Sequence, residues 1–217
     1  MLTFAFCFPD VYEVGMSHLG MKILYHMLNE REDTVCERVF APWDDMEQEM
    51  RKEGIPLLSM ESYVPVKNFD FIGFTLQYEM SYSNIVNMLD LAGVPLRTAE
   101  RTAGDPFVCC GGPCAYHAEP LSDFVDFFIL GEGEEVNSEI MDVYKEWKNS
   151  GSTDRDDFLM SIIPLGGVYV PKFYDVEYND DNTISRFEPN REGVPKQVRK
   201  RIILNICLLY TSDAAEN

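Results

Sequence analysis

Basic residues are scarce in this sequence of 217 residues, and that scarcity narrows the range of partners. Lysine and arginine together number 18 against 37 acidic residues, so the formal net charge is −19 at pH 7. Phosphate backbones and anionic membrane surfaces repel such a chain, so we expect no nucleic-acid partner and no membrane partner. The sequence also lacks any apolar run near the ~20 residues that a membrane span requires. The first residues lack the basic segment of a signal peptide, and we expect none.

The six cysteines do not follow the spacing of a disulfide framework. We therefore expect reduced thiols and a cytoplasmic location. Cys110, Cys114 and His117 have a spacing that some metal sites use, and Cys109 beside them is a further soft ligand. Successive strand residues point to opposite faces of a sheet, however, so Cys109 and Cys110 cannot both face one ion. We expect no metal site in this chain.

Short apolar segments alternate with segments of helical period throughout residues 1–150. Apolar runs without polar alternation, such as residues 4–8, are typical of strands covered on both faces, as in a parallel sheet. Five such alternations predict a doubly wound α/β domain with five parallel strands, and we expect flavodoxin-like order 2-1-3-4-5. The predicted strands are 4–8, 35–41, 71–76, 107–110 and 127–130, and the predicted helices are about 17–29, 43–50, 81–92 and 136–147.

The sequence changes in character after Trp147. Residues 149–153 have the composition of a linker, 154–163 suit a short helix, and 167–178 and 184–188 alternate as hairpin strands around a polar turn. We therefore divide the chain into a Rossmann-like domain at 1–150, a linker and small β-hairpin at 151–203, and a final segment at 204–217. That final segment resembles a translated sequencing adapter, so we expect a non-native tail.

Glycines cluster where the predicted strands end. The first strand leads into a loop that contains Gly15, the fourth is followed by Gly111 and Gly112, and the fifth by Gly131 and Gly133. Ligands of open α/β sheets bind outside the carboxyl ends of the strands, at the switch in strand order. Glycine permits close approach of a ligand or a turn with positive φ. The sequence therefore predicts a ligand site at this edge of the sheet.

These motifs resemble the cobalamin-binding domain at the N-terminus of radical S-adenosylmethionine (SAM) proteins, over about residues 4–148. Residues 9–20 are similar to an uncharacterised subgroup of these proteins, and residues 160–200 look like the connection into the radical core. The motifs that carry the resemblance are Gly111-Gly112-Pro113, Pro120-Leu121-Ser122-Asp123-Phe124 and Gly131-Glu132-Gly133-Glu134. The resemblance implies a module that binds cobalamin.

The resemblance also implies which residues contact the cofactor. The nucleotide tail of cobalamin would pass between sheet and helices beside Gly111, Gly112 and Thr75, and Gly131 and Gly133 would border the corrin ring. The expected contact residues are Asp10, Tyr12, Gly15, Ser17, His18, Thr75, Leu76, Gln77, Gly111, Gly112, Pro113, Gly131, Glu132 and Gly133. Two of these residues also suit a purely structural role. Thr75 could cap the end of its strand, and His18 could lie on the surface without contacting a ligand.

One position departs from the family pattern. Cobalamin domains that ligate cobalt carry Asp-x-His-x-x-Gly after the first strand, whereas this chain has Asp10, then Tyr12 in the histidine position, then Gly15. A phenol with a pKa near 10 is a poor cobalt ligand at neutral pH, unlike neutral imidazole. We therefore expect cobalamin to be held without a protein histidine ligand.

The radical reaction itself requires residues that this sequence lacks. A [4Fe–4S] cluster in such a core is held by three cysteines spaced x-x-x and x-x, and no such triad is present. The resemblance therefore implies that the parent protein is a radical SAM enzyme whose cluster and SAM bind in a core absent from this chain. We expect this chain alone to catalyse nothing.

Two other functions suit the same fold. A flavodoxin-like domain could bind FMN or another nucleotide, but no hydroxyl- and glycine-rich phosphate loop follows the first strand. A receiver-like interaction domain without a cofactor would need an aspartate after the third strand, where Gln77 stands, and a lysine after the fifth, where Glu132 stands.

Overall fold

A computed structural model describes residues 1–203, which form a central sheet flanked by helices and a separate two-stranded hairpin. The predicted tail at 204–217 lies outside the described residues. The strands are β1 (Leu2–Phe8), β2 (Thr34–Phe40), β3 (Phe71–Thr75), β4 (Phe107–Gly111), β5 (Phe127–Ile129), β6 (Val168–Tyr169), β7 (Tyr174–Tyr178) and β8 (Ile184–Pro189). The α-helices are α1 (Tyr12–Gly15), α2 (Leu19–Asn29), α3 (Asp44–Glu53), α4 (Tyr82–Ala92), α5 (Glu134–Ser150) and α6 (Arg155–Ile162).

The doubly wound parallel sheet is confirmed, with β1 to β5 in the predicted order 2-1-3-4-5. Its central strands are buried on both faces, which explains why they are continuous apolar runs in the sequence. Phe71 of β3 and Phe127 of β5 are completely buried, and Ala5 and Cys7 of β1 face the opposite side from Phe4 and are equally inaccessible.

A sixth strand completes the sheet. β6 pairs antiparallel with β5, where Val168 lies opposite Ile129. The sequence predicted one continuous hairpin strand at 167–178, and that prediction is wrong because the segment is divided. Pro171 has no backbone N–H to donate, and a 3-10 turn at Pro171–Phe173 separates β6 from β7. Only β7 and β8 form the hairpin.

Helix boundaries follow local capping. α2 begins at Leu19, two residues later than predicted, because His18 caps its N-terminus, and the preceding loop contains the short helix α1. α3 continues past the predicted residue 50 and ends at Glu53, since Gly54 adopts a left-handed conformation with φ of 66°. Within residues 1–203, no helix is both long and apolar enough to cross a membrane.

Residues beyond 150 contribute to the core of the sheet. Phe158 of α6 is completely buried, and its ring centroid lies 4.5 Å from that of Phe107 and 5.3 Å from that of Tyr144. The guanidinium of Arg155 lies 3.9 Å from the ring centroid of Phe107. This aromatic cluster packs α6 against α5 and against the amino end of β4.

A buried ion network holds the amino end of β4. Arg101 donates to Asp126 at 2.8 Å, and Arg155 donates to the same carboxylate at 3.1 Å. Asp126 also accepts the backbone N–H of Val108 at 2.8 Å, so its charge is well compensated. Burial lowers the pKa of Arg101, against the opposing attraction of Asp126.

The two outer strands of the parallel part of the sheet, β2 and β5, both have backbone partners on their outer sides. Along β2, the backbone N–H of Arg38 donates to Glu61 at 2.8 Å, and its carbonyl accepts from the N–H of Met60 at 2.9 Å. On the opposite side, β6 covers the free edge of β5.

Candidate functional site

A cavity of 370 Å³ lies at the carboxyl end of the parallel sheet, between four strands and the helices α2 and α5. This volume falls in the roughly 300–1,000 Å³ range of small-molecule sites. Its walls are mainly aromatic and aliphatic, with glycines and a few polar groups at the strand ends. The strands and helices that line it contribute Phe4, Phe6, His18, Gly20, Leu24, Leu28, Gly73, Phe74, Thr75, Gln77, Cys109, Cys110, Gly111, Gly112, Pro113, Ile129, Gly131, Glu132, Gly133, Glu134 and Asn137.

The structure brings most of the predicted contact residues together around this cavity. Those that line it are His18, Thr75, Gln77, Gly111, Gly112, Pro113, Gly131, Glu132 and Gly133. Those that lie outside its lining are Asp10, Tyr12, Gly15, Ser17 and Leu76.

Tyr12 and Asp10, in the loop after β1, contact residues that do not line the cavity. The ring of Tyr12 packs edge-on against Phe40, with centroids 5.2 Å apart. Asp10 accepts a hydrogen bond from the hydroxyl of Tyr78 at 2.9 Å and from the backbone N–H of Val11 at 2.8 Å. The histidine position of the family motif therefore places its residue beside β2 instead of beside the cavity.

Two glycines at the strand ends are required by the chain's own packing. Gly112 has a φ of 108°, and a Cβ there would lie 2.8 Å from the carbonyl oxygen of Leu76. Gly131 has a φ of 101°, and a Cβ there would collide with the backbone of Arg201. Gly111 differs, because the nearest atoms to a Cβ at that position are 3.8 Å away. Of these three glycines, Gly111 is the one whose missing side chain leaves space.

Hydrogen bonds fix the turns that follow β3 and β4. Oγ1 of Thr75 accepts from the side-chain amide of Gln77 at 2.5 Å, so Thr75 also ties its strand to the next loop. The hydroxyl of Tyr82 lies 3.1 Å and 3.0 Å from the carbonyl oxygens of Cys114 and His117. Burial raises the pKa of Tyr82 to about 12, so the phenol stays protonated as a donor that holds the turn after β4.

His18 is the one histidine among the described residues that line the cavity. Its Nδ1 accepts the backbone N–H of Met21 at 3.1 Å, and its ring packs on Phe8 with centroids 5.3 Å apart. A neutral imidazole that accepts at Nδ1 carries its proton on Nε2. His18 is therefore arranged as a hydrogen-bond donor at Nε2.

The polar groups at the mouth of the cavity are acidic. Glu132 and Glu134 line it, and none of its described lining residues is a lysine or an arginine. Oε2 of Glu132 accepts the backbone N–H of Ile203. Oε2 of Glu134 is buried, and no described residue donates to it. The site therefore favours a ligand that brings hydrogen-bond donors over one that brings negative charge.

Sequence reasoning missed several residues of the cavity wall. Leu24 and Leu28 follow the helical period of α2, and Phe4 and Phe6 were expected only as core. Asn137, one turn into α5, donates to the carbonyl oxygen of Gly133 at 2.6 Å. The alternation of β1 gives the signal that could have found Phe4 and Phe6, because residues on one face of a strand share one environment.

The cysteines near the cavity are core residues. Cys7, Cys109 and Cys110 are buried, and burial raises the pKa of each thiol. Among residues 1–203, no group of three or more histidine, cysteine, aspartate or glutamate side chains is placed to hold a metal ion.

The fold is a doubly wound α/β domain with a cavity at the carboxyl ends of its parallel strands. The sequence model of the family described as radical SAM proteins, N-terminal, matches residues 20–171. This match covers well over half of the chain, and the chain belongs to that family.

One curated relative is similar over part of the chain. The uncharacterized protein MJ0966 of Methanocaldococcus jannaschii is 26% identical over 131 residues, which make up 60% of this chain. The chain spans about a quarter of the length of that curated relative, 24%.

Two solved structures of TsrM, a radical S-adenosylmethionine methyltransferase from Kitasatospora setae, also match. One, with a tryptophan substrate and a SAM analogue bound, has 14% identity and a TM-score of 0.48 over 91% of this chain and 36% of that chain. The other, with cobalamin and a [4Fe–4S] cluster bound, has 13% identity and a TM-score of 0.48 over 92% of this chain and 31% of that chain.

Proposed function

We propose that this chain is the cobalamin-binding module of a radical SAM enzyme and that it binds the cofactor without a histidine ligand to cobalt. The observation that carries the proposal is the apolar cavity of 370 Å³ between the sheet and helices α2 and α5. It lies at the carboxyl ends of the strands, where open α/β sheets bind ligands. Membership of the N-terminal family of radical SAM proteins supports the same function.

The chemistry of the cavity wall fits this cofactor. Cobalamin carries an apolar benzimidazole base on its tail, neutral amide side chains around the corrin, and one phosphodiester whose charge the cobalt offsets. The wall offers apolar surface from Leu24 and Leu28, a close approach to the backbone at Gly111, and carboxylate acceptors at Glu132 and Glu134. The phosphate dianion of FMN would find no lysine or arginine among the described lining residues, and a buried charge without a partner is costly.

Two positions bear on the cobalt ligand. Tyr12 packs against Phe40 outside the cavity. Nδ1 of His18 already accepts the backbone N–H of Met21 at the N-terminus of α2. To ligate a metal through Nε2, His18 would have to move its proton to Nδ1 and give up the bond to Met21. Bound cobalamin supplies a cobalt centre that changes oxidation state and carries an alkyl group, and the residues of this chain hold and orient it.

The remaining parts of the enzyme belong to the rest of the parent protein. Exposed apolar side chains surround the carboxyl edge of the sheet, including Leu19 at 65% exposure and Met80 at 85%. The region matched in the curated relative makes up 24% of that protein. We infer that the radical core in the same parent chain binds SAM and the [4Fe–4S] cluster and covers this edge, and that the present chain alone is not catalytic.

A binding experiment tests the cofactor. The purified protein is incubated with hydroxocobalamin or with FMN, passed through a desalting column, and examined by absorption spectroscopy. Corrin bands at one equivalent per chain are expected, and retention of flavin with no retention of corrinoid would overturn the proposal. Protein that retains neither ligand would also contradict it.

Electron paramagnetic resonance tests the ligand. The Co(II) form bound to the protein is compared with a sample in which all histidines carry ¹⁵N. Because the benzimidazole of the cofactor keeps its ¹⁴N, a change in nitrogen superhyperfine splitting on labelling would reveal histidine ligation. We expect identical spectra.

A further inference from the structure

Glu134 has a buried oxygen that the chain leaves without a donor. It is the first residue of α5 and lines the cavity, and its Oε2 has no hydrogen-bond partner among the residues that the structure describes. A buried acceptor that has lost water and gained no donor is destabilising, and native proteins keep few of them. Because Glu134 lines the cavity, a ligand bound there is the nearest source of a donor for this oxygen outside the described chain.

Glu132, Glu135 and Glu139 do not combine a place in the cavity lining with a buried oxygen that lacks a described donor. Oε2 of Glu132 accepts the N–H of Ile203, and Glu135 is exposed and pairs with Arg201 at 3.2 Å. Oε2 of Glu139 also lacks a described donor, but Glu139 does not line the cavity and its Oε1 accepts from Arg201 at 2.6 Å.

The helix N-terminus does not account for Glu134 by itself. The dipole of α5 favours negative charge at its first turn, and Glu135 benefits from the same field. A dipole gives no hydrogen atom to Oε2, however. With the cavity beside it, the carboxylate is arranged to accept one directional hydrogen bond.

We propose that Glu134 is a specificity-determining residue that accepts a hydrogen bond from a neutral N–H or O–H group of the bound corrinoid. This proposal rests on the proposed function. Two groups of the cofactor have this chemistry, namely the amide side chains of the corrin and the ribose hydroxyl of the nucleotide tail. A carboxylate repels anions, so it also selects against ligands that would place a phosphate at this point.

The test compares corrinoid affinities of four proteins by fluorescence quenching or isothermal titration. They are the wild type, Glu134→Ala, Glu134→Gln and the matched control Glu135→Ala, which removes the adjacent charge at the same helix end. Each is titrated with hydroxocobalamin and with cobinamide, which keeps the corrin amides and lacks the nucleotide tail. Thermal unfolding without ligand checks that every variant is folded.

Loss of a hydrogen bond to a charged acceptor predicts that Glu134→Ala raises the Kd for hydroxocobalamin about 10- to 100-fold. Glu134→Gln keeps an acceptor and should lose less, and Glu135→Ala should bind as the wild type. An equal loss with cobinamide assigns the bond to a corrin amide, and a loss with hydroxocobalamin alone assigns it to the tail. If the wild type binds and Glu134→Ala binds equally well or more tightly, this inference is overturned while the proposed function stands. If the wild type binds neither corrinoid, both fall.

Discussion

The hydroxyl of Tyr78 donates a hydrogen bond of 2.9 Å to Oδ2 of Asp10, which joins the loop after β3 to the loop after β1. The other carboxylate oxygen accepts the backbone N–H of Val11. In cobalamin domains that ligate cobalt, the corresponding aspartate accompanies a histidine ligand. Here both oxygens bind local donors, so Asp10 fixes two loops beside the cavity instead of orienting an imidazole.

The capping role of His18 predicts a stability effect that is separate from metal binding. We expect His18→Ala to destabilise the protein by about 1 kcal/mol, because the N–H of Met21 loses its acceptor. His18→Asn should recover most of that loss, since asparagine is a good N-cap. Urea unfolding measures both, and a Co(II) spectrum that changes in His18→Asn would contradict the assignment of His18 as a cap.

Substitution of two adjacent glycines by alanine should affect different properties, stability at Gly112 and ligand affinity at Gly111. Gly112→Ala is expected to destabilise the ligand-free protein by roughly 1–3 kcal/mol, because its φ is 108° and the new Cβ would meet Leu76. Gly111→Ala has room and should unfold at nearly the wild-type temperature, yet lower hydroxocobalamin affinity about tenfold by filling the cavity. Equal losses of stability in the two variants would refute this distinction.

Two aspartate–arginine pairs should differ in their contribution to stability. Asp126→Asn breaks a pair whose side chains are 0% and 4% exposed, and we expect a loss of about 3–5 kcal/mol. Asp123→Asn breaks the pair with Arg97, which is more than half exposed on both sides, and should cost less than about 1 kcal/mol. Urea denaturation of both variants checks the ranking, and a larger effect at Asp123 would be inconsistent with it.

Acid should remove one identifiable contribution to stability. A hydrogen bond from Lys145, with further support from Thr34 and Arg31, lowers the pKa of Asp33 to about 2. Since an unfolded aspartate titrates near 3.9, the contribution is complete above about pH 4 and is lost as the pH falls towards 2. We expect wild type and Asp33→Asn to differ by less than about 1 kcal/mol at pH 6 and to converge near pH 2. A difference that does not depend on pH would argue against this.

The packing of α6 predicts that residues beyond 150 stabilise the sheet. Phe158→Ala should cost about 3–5 kcal/mol, because it empties a completely buried site between Phe107 and Tyr144. Chemical denaturation followed by tryptophan fluorescence is suitable, since Trp147 lies in the same cluster, with its ring centroid 5.8 Å from that of Phe158. A change below 1 kcal/mol would mean that α6 packs only loosely.

The fold could be predicted because each central strand is an unbroken apolar run. β1 and β3 are buried on both faces, so nearly all of their residues are apolar. The apolar residues of α5 recur with the period of a helix, which identifies it in the sequence. β6 could not be predicted in the same way, since its two residues, Val168 and Tyr169, belong to a longer segment that looks like one strand until Pro171 is considered.

The candidate site was only partly visible in the sequence. Glycines revealed the strand ends, but a glycine required by the backbone, such as Gly112, looks the same in a sequence as one that leaves space, such as Gly111. The orientation of Tyr12 depends on its contact with Phe40, which is 28 residues away in the chain. The buried oxygen of Glu134 likewise results from tertiary packing, and a glutamate at the start of a helix gives no sign of it.

The backbone contacts along the outer sides of β2 and β5 have a consequence for the behaviour of the protein at high concentration. An open edge strand offers unpaired backbone groups to another chain and so promotes edge-to-edge aggregation. On β2, the side chain of Glu61 and the backbone of Met60 occupy the donor and the acceptor of Arg38, while β6 shields β5. Because these contacts are few, losing either one would leave unpaired backbone groups of β2 or β5 available to another chain.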